Sequence, residues 1–275
     1  MARSLSQAGF TLIELVMVIV IMGVIGATLA IFMRKPVDAY LDTTRRAAFT
    51  DLADTAVRRI ARDIGGALPN SLRVPNNQCV EFIPTRTGGR YRAEPDAGVG
   101  GAQAAAVLDF TLADTSFNML ANNSALPADQ QIRPNDVVVV YNLGIPGADA
   151  YTGDNSAVVA SVTAGTESTI AIAAKQFPLA SGSNRFHVVP GNEKIVSFVC
   201  SGGRLLRSSN HAYANSCPTA GATVAVLAQN VSACNFVYGA SDLQRNALVQ
   251  MAITLTDASG ESVSLYHEVH VGNTP

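Results

Sequence analysis

Lysine is scarce in this chain: only Lys35, Lys175 and Lys194 occur, and Lys plus Arg number 19 against 21 Asp plus Glu. A formal net charge of −2 leaves no basic footprint for a phosphate backbone and argues against nucleic acid as a partner. The signatures of enzyme chemistry are missing as well. There is no G-x-S-x-G elbow and no phosphate-cradling glycine loop at a strand–helix junction. His267-Glu268-Val269-His270 is one residue short of H-E-x-x-H, and it lies in a strand-like segment where positions three apart point to opposite faces. His187 and His211 have no nearby partner in sequence. None of the four cysteines is spaced C-x-x-C, as a zinc site usually requires. The oxygen donors of Gly147 to Asn155 lack the acid alternation and final Glu of an EF-hand loop and read as solvated. We therefore expect no catalytic residue, no metal and no cofactor. No internal repeat and no Pro- or Ser-rich linker divides the C-terminal bulk.

One long apolar run stands against these absences. It extends from Phe10 to Met33, and Glu14 is its only ionisable side chain. About 24 residues make a helix of roughly 36 Å, enough to span a bilayer with some tilt. A carboxylate in hydrocarbon costs roughly 2.5–3.5 kcal/mol on insertion scales, so an intramembrane Glu reads as functional. Gly23 and Gly26 offer close-approach positions but are not spaced as G-x-x-x-G. A short polar leader, Met1 to Gly9, precedes the run and carries Arg3. A secretory signal has its small-residue cleavage site after the apolar core; here Gly9 comes before it. Cutting after Gly9 keeps the helix on the mature chain and creates a new amine at Phe10. Arg3 on one side and Arg34-Lys35 on the other leave orientation unset by the positive-inside rule.

The helix should continue beyond the membrane. Val37, Leu41, Ala48, Leu52, Ala56, Ile60 and Ile64 recur at multiples of four and form one apolar stripe. Asp42–Arg46 and Asp54–Arg58 are supportive pairs one turn apart. Arg45, Arg46, Arg58, Arg59 and Arg62 leave two readings, a face toward a partner subunit and the commoner solvated face with local acid partners. Pro36 should kink the helix, and Gly65-Gly66 with Pro69 should close it through a left-handed glycine cap. The remainder reads as β-rich. Its expected strands are Cys79–Pro84, Ala106–Leu112, Asp136–Tyr141, Ala157–Thr163, Ser168–Ala173, Arg185–Val189, Lys194–Cys200, Arg204–Arg207, Thr223–Leu227, Cys234–Tyr238, Leu248–Thr256 and Ser262–Val271. Val249, Met251, Ile253 and Leu255 share one face, and Asp257 to Gly260 is a hairpin turn. Gly98–Ala105 and Leu143–Asn155 read as loops, and Gly88-Gly89 and Gly100-Gly101 as turn glycines. Four cysteines in an exported domain suggest two disulfides, with three connectivities open. We favour Cys200–Cys217 as a local staple, which leaves Cys79–Cys234.

The string Gly9-Phe10-Thr11-Leu12-Ile13-Glu14 behind a short Arg-bearing leader resembles the class III leader of type IV pilins and pseudopilins. The resemblance implies cleavage between Gly9 and Phe10 by prepilin peptidase and N-methylation of Phe10. It also implies that Glu14 pairs with the terminal amine of a neighbouring subunit during assembly. The segments Arg58 to Ile64 and Ala67 to Val74 are similar to those of MshO-type minor pilins of the mannose-sensitive haemagglutinin (MSHA) pilus system. Cys79 to Pro84, Gly89 to Arg92 and Phe198-Val199-Cys200 add to that similarity. J-type pseudopilins of type II secretion and PilW-like minor pilins share the plan and stay open as alternatives. A membrane-anchored periplasmic enzyme or binding protein would need a pocket of convergent polar groups, and the sequence names none.

The expected fold is therefore α+β and pilin-like. It comprises a leader over 1–9, a membrane helix over 10–33, an amphipathic stem over 34–66 and a β-rich head over 67–275. The expected partners are other pilins, prepilin peptidase and an inner-membrane assembly platform. The expected location is the inner membrane with the head in the periplasm, and then the pilus surface.

Overall fold

The computed structural model describes residues 9–95, 107–210, 217–219, 222–239 and 246–275. The leader before Gly9, the loop Gly98–Ala105 with Gly100-Gly101, and His211 lie outside the described residues. The chain forms a long N-terminal helix followed by a β-rich domain, an α+β, pilin-like arrangement.

Helix α1 runs from Leu12 to Gly65. Its course to Phe49 belongs to one structural unit, and its last turns, from Thr50, belong to the β domain. In the first unit every residue from Gly9 to Ala48 is exposed, including the whole apolar run. Thr28 donates its hydroxyl to the Val24 carbonyl at 2.7 Å. This satisfies the polar group within the helix, as an apolar solvent demands. The helix continues through Pro36.

In the second unit the buried face of α1 is Ala53, Ala56, Val57, Ile60 and Ile64. The stripe read at multiples of four is thus corrected. Each four-residue step overshoots a turn by about 40°, so Leu52 drifts to the exposed side and Ala53 and Val57 take its place. Asp54 pairs with Arg58 at 2.6 Å and Asp42 pairs with Arg45. The helix ends without a left-handed glycine. Instead Gly66 and Ala67 donate to the carbonyls of Asp63 and Ile64 at 3.2 and 3.0 Å, a tightened last turn.

Among the described residues fourteen strands follow. A five-stranded antiparallel sheet is built from β1 (Arg73–Asn76), β2 (Cys79–Phe82), β9 (Val196–Ser201), β10 (Arg204–Ser209) and β11 (Thr223–Gln229), in that spatial order. Val80 and Arg207 both lie opposite Phe198, so they share a face with it. Arg207 reaches Asp63 of α1 at 2.9 Å, which puts this face beneath the last helical turns. A three-stranded meander, β12 (Val231–Gly239), β13 (Asn246–Thr256) and β14 (Ser262–Gly272), completes the domain. Val249, Met251, Ile253 and Leu255 of β13 are all buried, as their alternation predicts. Asp257 to Gly260 turns the chain into β14, with Gly260 at φ +87°.

The segment between β2 and β9 folds back as a barrel. Its strands are β3 (Thr87–Arg90), β4 (Asp114–Met119), β5 (Val137–Val140), β6 (Ser156–Thr163), β7 (Ser168–Lys175) and β8 (Arg185–Val189), ordered β3-β8-β5-β6-β7-β4. The sheet closes on itself where Tyr91 pairs with Met119. Leu120 donates to the Arg90 carbonyl and Arg92 to the Asn118 carbonyl, both at 2.9 Å. Closure removes the open edges a flat sheet would expose. Phe117, Val138, Val140, Val159, Ile170, Ile172, Phe186 and Val188 fill the interior, and Phe117 meets Phe186 edge-on at 5.3 Å. Val139 faces outward but is buried with Leu68, Ile83 and Val189. Burial on both faces explains the unbroken valine run of β5.

The disulfide expectation is overturned. Cys79 bonds Cys217, and Cys200 bonds Cys234, with Cα separations of 6.4 and 6.3 Å. The reason is strand alternation. Cys79 sits opposite Val199 in the β2–β9 ladder, so Cys79 and Cys200 project from opposite faces. Cys217 covers the face of Cys79 and Val199, and β12 brings Cys234 to the other.

Asparagines fasten the barrel to the helix exit and the C-terminal segment. Asn142 is fully buried; it donates to the Pro69 carbonyl at 2.7 Å and accepts from the Ala150 amide at 2.8 Å. Asn70, in the left-handed region at φ 57°, donates to the carbonyls of Asn142 and Asn273. Gly144 passes so close that a Cβ there would lie 2.6 Å from the Asn70 oxygen. Replacing Asn142 by alanine strands the Pro69 carbonyl and the Ala150 amide, and it should destabilise the domain by about 3 kcal/mol. The urea midpoint, followed by tyrosine fluorescence, measures the loss.

Candidate functional site

Gly9 and Phe10 precede the helix outside any regular element, and Phe10 is 83% exposed. Thr11 occupies the N-cap position and Glu14 the third helical position. The Glu14 amide donates to the Thr11 carbonyl at 3.1 Å. The Glu14 Oε2 in turn accepts from the Thr11 amide at 3.4 Å and lies 3.5 Å from its hydroxyl. This is one arm of a capping box, with a carboxylate at the positive end of the helix dipole. The sequence reading assigned Glu14 to assembly alone. The T-x-x-E spacing that also makes it a cap was legible and was missed.

Beyond the cap, the side chains of Leu12, Ile13, Leu15 and their successors to Met33 are exposed. This stretch is apolar and long enough to cross a membrane. A Cβ at Gly23 or Gly26 would meet nothing within 4 Å, so both glycines are open to a neighbouring helix.

The head disposes of the other positions singled out in the sequence. His267 lies opposite the buried Met251 and His270 opposite Leu248, so the two imidazoles point to opposite faces of β14. The Gly147–Asn155 loop engages its own oxygens. Asp149 accepts from Arg73 at 2.7 Å, Asp154 accepts from the Gly147 amide at 3.0 Å, and Lys175 donates to the Gly153 carbonyl at 2.8 Å. Among the described residues no three His, Cys, Asp or Glu side chains gather as a metal site would need. In β8, burial and the neighbouring Arg185 hold the His187 imidazole below its usual pKa.

One titratable group in the head is buried where β2 meets the barrel. Glu81 is fully buried, within 3.5 Å of the Ser197 hydroxyl. Nearby, the Arg73 guanidinium stacks 3.6 Å over the Tyr151 ring. Burial pushes the Glu81 carboxyl up to about 7, against smaller opposing effects of Arg73, Ser197 and Tyr151. A carboxyl raised by folding gives stability that is fully present below its ordinary value of 4.5 and is lost as pH rises through about 7. Glu81→Gln should therefore gain on the native chain by up to roughly 3 kcal/mol at pH 8 and show no gain at pH 4.5. His187 works in the opposite direction but is common to both proteins, so the difference between their urea midpoints isolates Glu81.

Residues 5–30 match the family model described as the prokaryotic N-terminal methylation motif. No curated protein and no solved structure matches the chain. The matched residues include Gly9, Phe10, Thr11 and Glu14 and most of the apolar run. The match supports a place in the type IV pilin and pseudopilin superfamily, with a membrane-anchored, pilin-like role.

Proposed function

We propose that this chain is a minor pilin of an MSHA-like type IV pilus with a structural, non-catalytic role. Prepilin peptidase removes the 1–9 leader and methylates the Phe10 amine. The 10–33 helix holds the chain in the bacterial inner membrane and then packs among other pilin helices in the fibre. Stem residues 34–66 lead to a head over 67–275, which stands in the periplasm and later on the pilus surface. The inner-membrane assembly platform drives the transfer. The methylation motif, continuous with an exposed apolar helix, carries this reading. The inserted barrel supports a low-copy rather than a bulk subunit, because it enlarges the head beyond what filament packing uses.

Fractionation tests the proposal. Sheared filaments should contain the chain at a small fraction of the major pilin. Parity with the major pilin would contradict the minor role. Confinement to the membrane alongside secretion components would instead indicate a pseudopilin.

A further inference from the structure

The β domain protects nearly all of its strand edges. The barrel is closed, and β1 and β12 lie against each other, with Phe236 donating to the Asn77 carbonyl at 2.7 Å. That leaves β14 and β11 as outer edges among the described residues. Strand β14 carries His267, Glu268 and His270, charged or ionisable groups of the kind that blunt an edge. Strand β11 reads Thr-Val-Ala-Val-Leu-Ala-Gln. It lies in a stretch from Ser208 to Ser241 with no Asp, Glu, Lys or Arg.

Backbone alternation shows which groups β11 leaves open. The Asn210 amide bonds the Ile195 carbonyl across the β9–β10 ladder. Even-numbered residues of β10 therefore turn their backbone groups to β9, and odd-numbered ones turn them to β11. Arg207 and Ser209 lie opposite Ala225 and Thr223, so those two residues complete the ladder. The N–H and C=O groups of Val224 and Val226 face outward. Their side chains are exposed too, at 41% and 48%. An irregularity at Leu227 ends the regular edge.

We propose that β11 is a docking edge for an extended, uncharged segment of another chain, which adds as a strand beside Val224 and Val226. Such a segment supplies the complementary ladder of backbone donors and acceptors, which only an extended chain can do. Its apolar side chains on one face lie against the two valines. A charged segment is disfavoured because β11 has no counter-charge. The inference rests on the edge alone and stands apart from the filament role.

The test uses the full chain in detergent micelles. The probe is a capped seven-residue peptide alternating threonine and valine, and amide exchange is the readout. At a peptide concentration of about 5 mM, exchange at Val224 and Val226 should slow by at least about threefold. Amides on β14 should be unaffected. An equivalent peptide alternating lysine and glutamate should give no protection. Val224→Pro removes only an outward N–H, a place where an edge strand tolerates proline. It should abolish protection of Val226 while the amides of Thr223 and Ala225 stay slow, which shows that the β10 ladder is intact. Absent protection, equal protection by the charged peptide, or protection that survives in Val224→Pro would overturn the proposal. Protection without peptide that grows with protein concentration would assign the edge to a second copy and overturn the foreign-strand reading.

Discussion

Glu14→Ala should lower the share of the chain recovered in filaments by at least about tenfold while the β domain stays folded. Two local effects of the substitution pull in different directions. Losing the bond to the Thr11 amide weakens the helix start by about 1 kcal/mol. Removing a carboxylate from hydrocarbon favours the isolated helix by roughly 2.5–3.5 kcal/mol. Alone, those effects would leave the membrane-inserted subunit as stable as before or more so. Assembly should fail nonetheless if Glu14 pairs with a neighbour's terminal amine as we propose, because that amine would be buried without a counter-charge, typically a loss of about 3–5 kcal/mol. Glu14→Gln separates the contributions, since glutamine can keep the cap but carries no charge. Recovery near zero for both variants identifies the charge pair as the working element. Rescue by glutamine would reduce Glu14 to a helix cap. The ratio of sheared to membrane-bound chain, measured by immunoblot, decides between them.

Removing either disulfide should have a comparably large effect on stability. The half-cystines are 138 residues apart for Cys79–Cys217 and 34 apart for Cys200–Cys234. Loop-closure entropy then assigns about 5 and about 4 kcal/mol to the two bonds. Domains are commonly stable by only about 5–15 kcal/mol, so replacing either pair by serine should shift the urea midpoint steeply downward. The pairing has its own signature. In Cys79→Ser, the thiol open to alkylation should be Cys217, with Cys200–Cys234 intact in a non-reducing peptide map. An alkylated Cys234 would restore the pairing favoured from sequence and contradict the two-faced arrangement of β2 and β9.

Much of the architecture was legible because periodicity carries it. The apolar run, the alternation of β13 and the Asp257–Gly260 hairpin all follow from local pattern. Less legible were features that depend on pairing partners distant in sequence. Strand β1 contains Pro75 and β3 contains Gly88 and Gly89, residues that argue against strands; yet proline is tolerated in a short outer strand, and a Cβ at Gly89 would lie 2.9 Å from the Phe186 ring. The expected strand at Ala106–Leu112 was misplaced. From Val107 to Ala113 no strand forms, with Asp109 accepting from the Thr111 amide at 2.7 Å and Asp114 accepting from the Asp109 amide at 2.5 Å. Such side-chain bonds draw a segment away from the ladder, and the strand begins instead at Asp114. Barrel closure rests on the single pair Tyr91–Met119, which no local pattern announces. The cysteine error arose from choosing partners by nearness in sequence when the strand face decides them. At the N-terminus the candidate site was legible residue by residue, because Gly9, Phe10 and Glu14 act through their order in the chain.

The mature N-terminus tests the central claim most directly. Intact-mass and N-terminal fragment analysis of the chain from its native membrane should find a protein that begins at N-methylated Phe10. Retention of Met1 to Gly9, cleavage after the apolar run, or an unmethylated Phe10 would contradict the account.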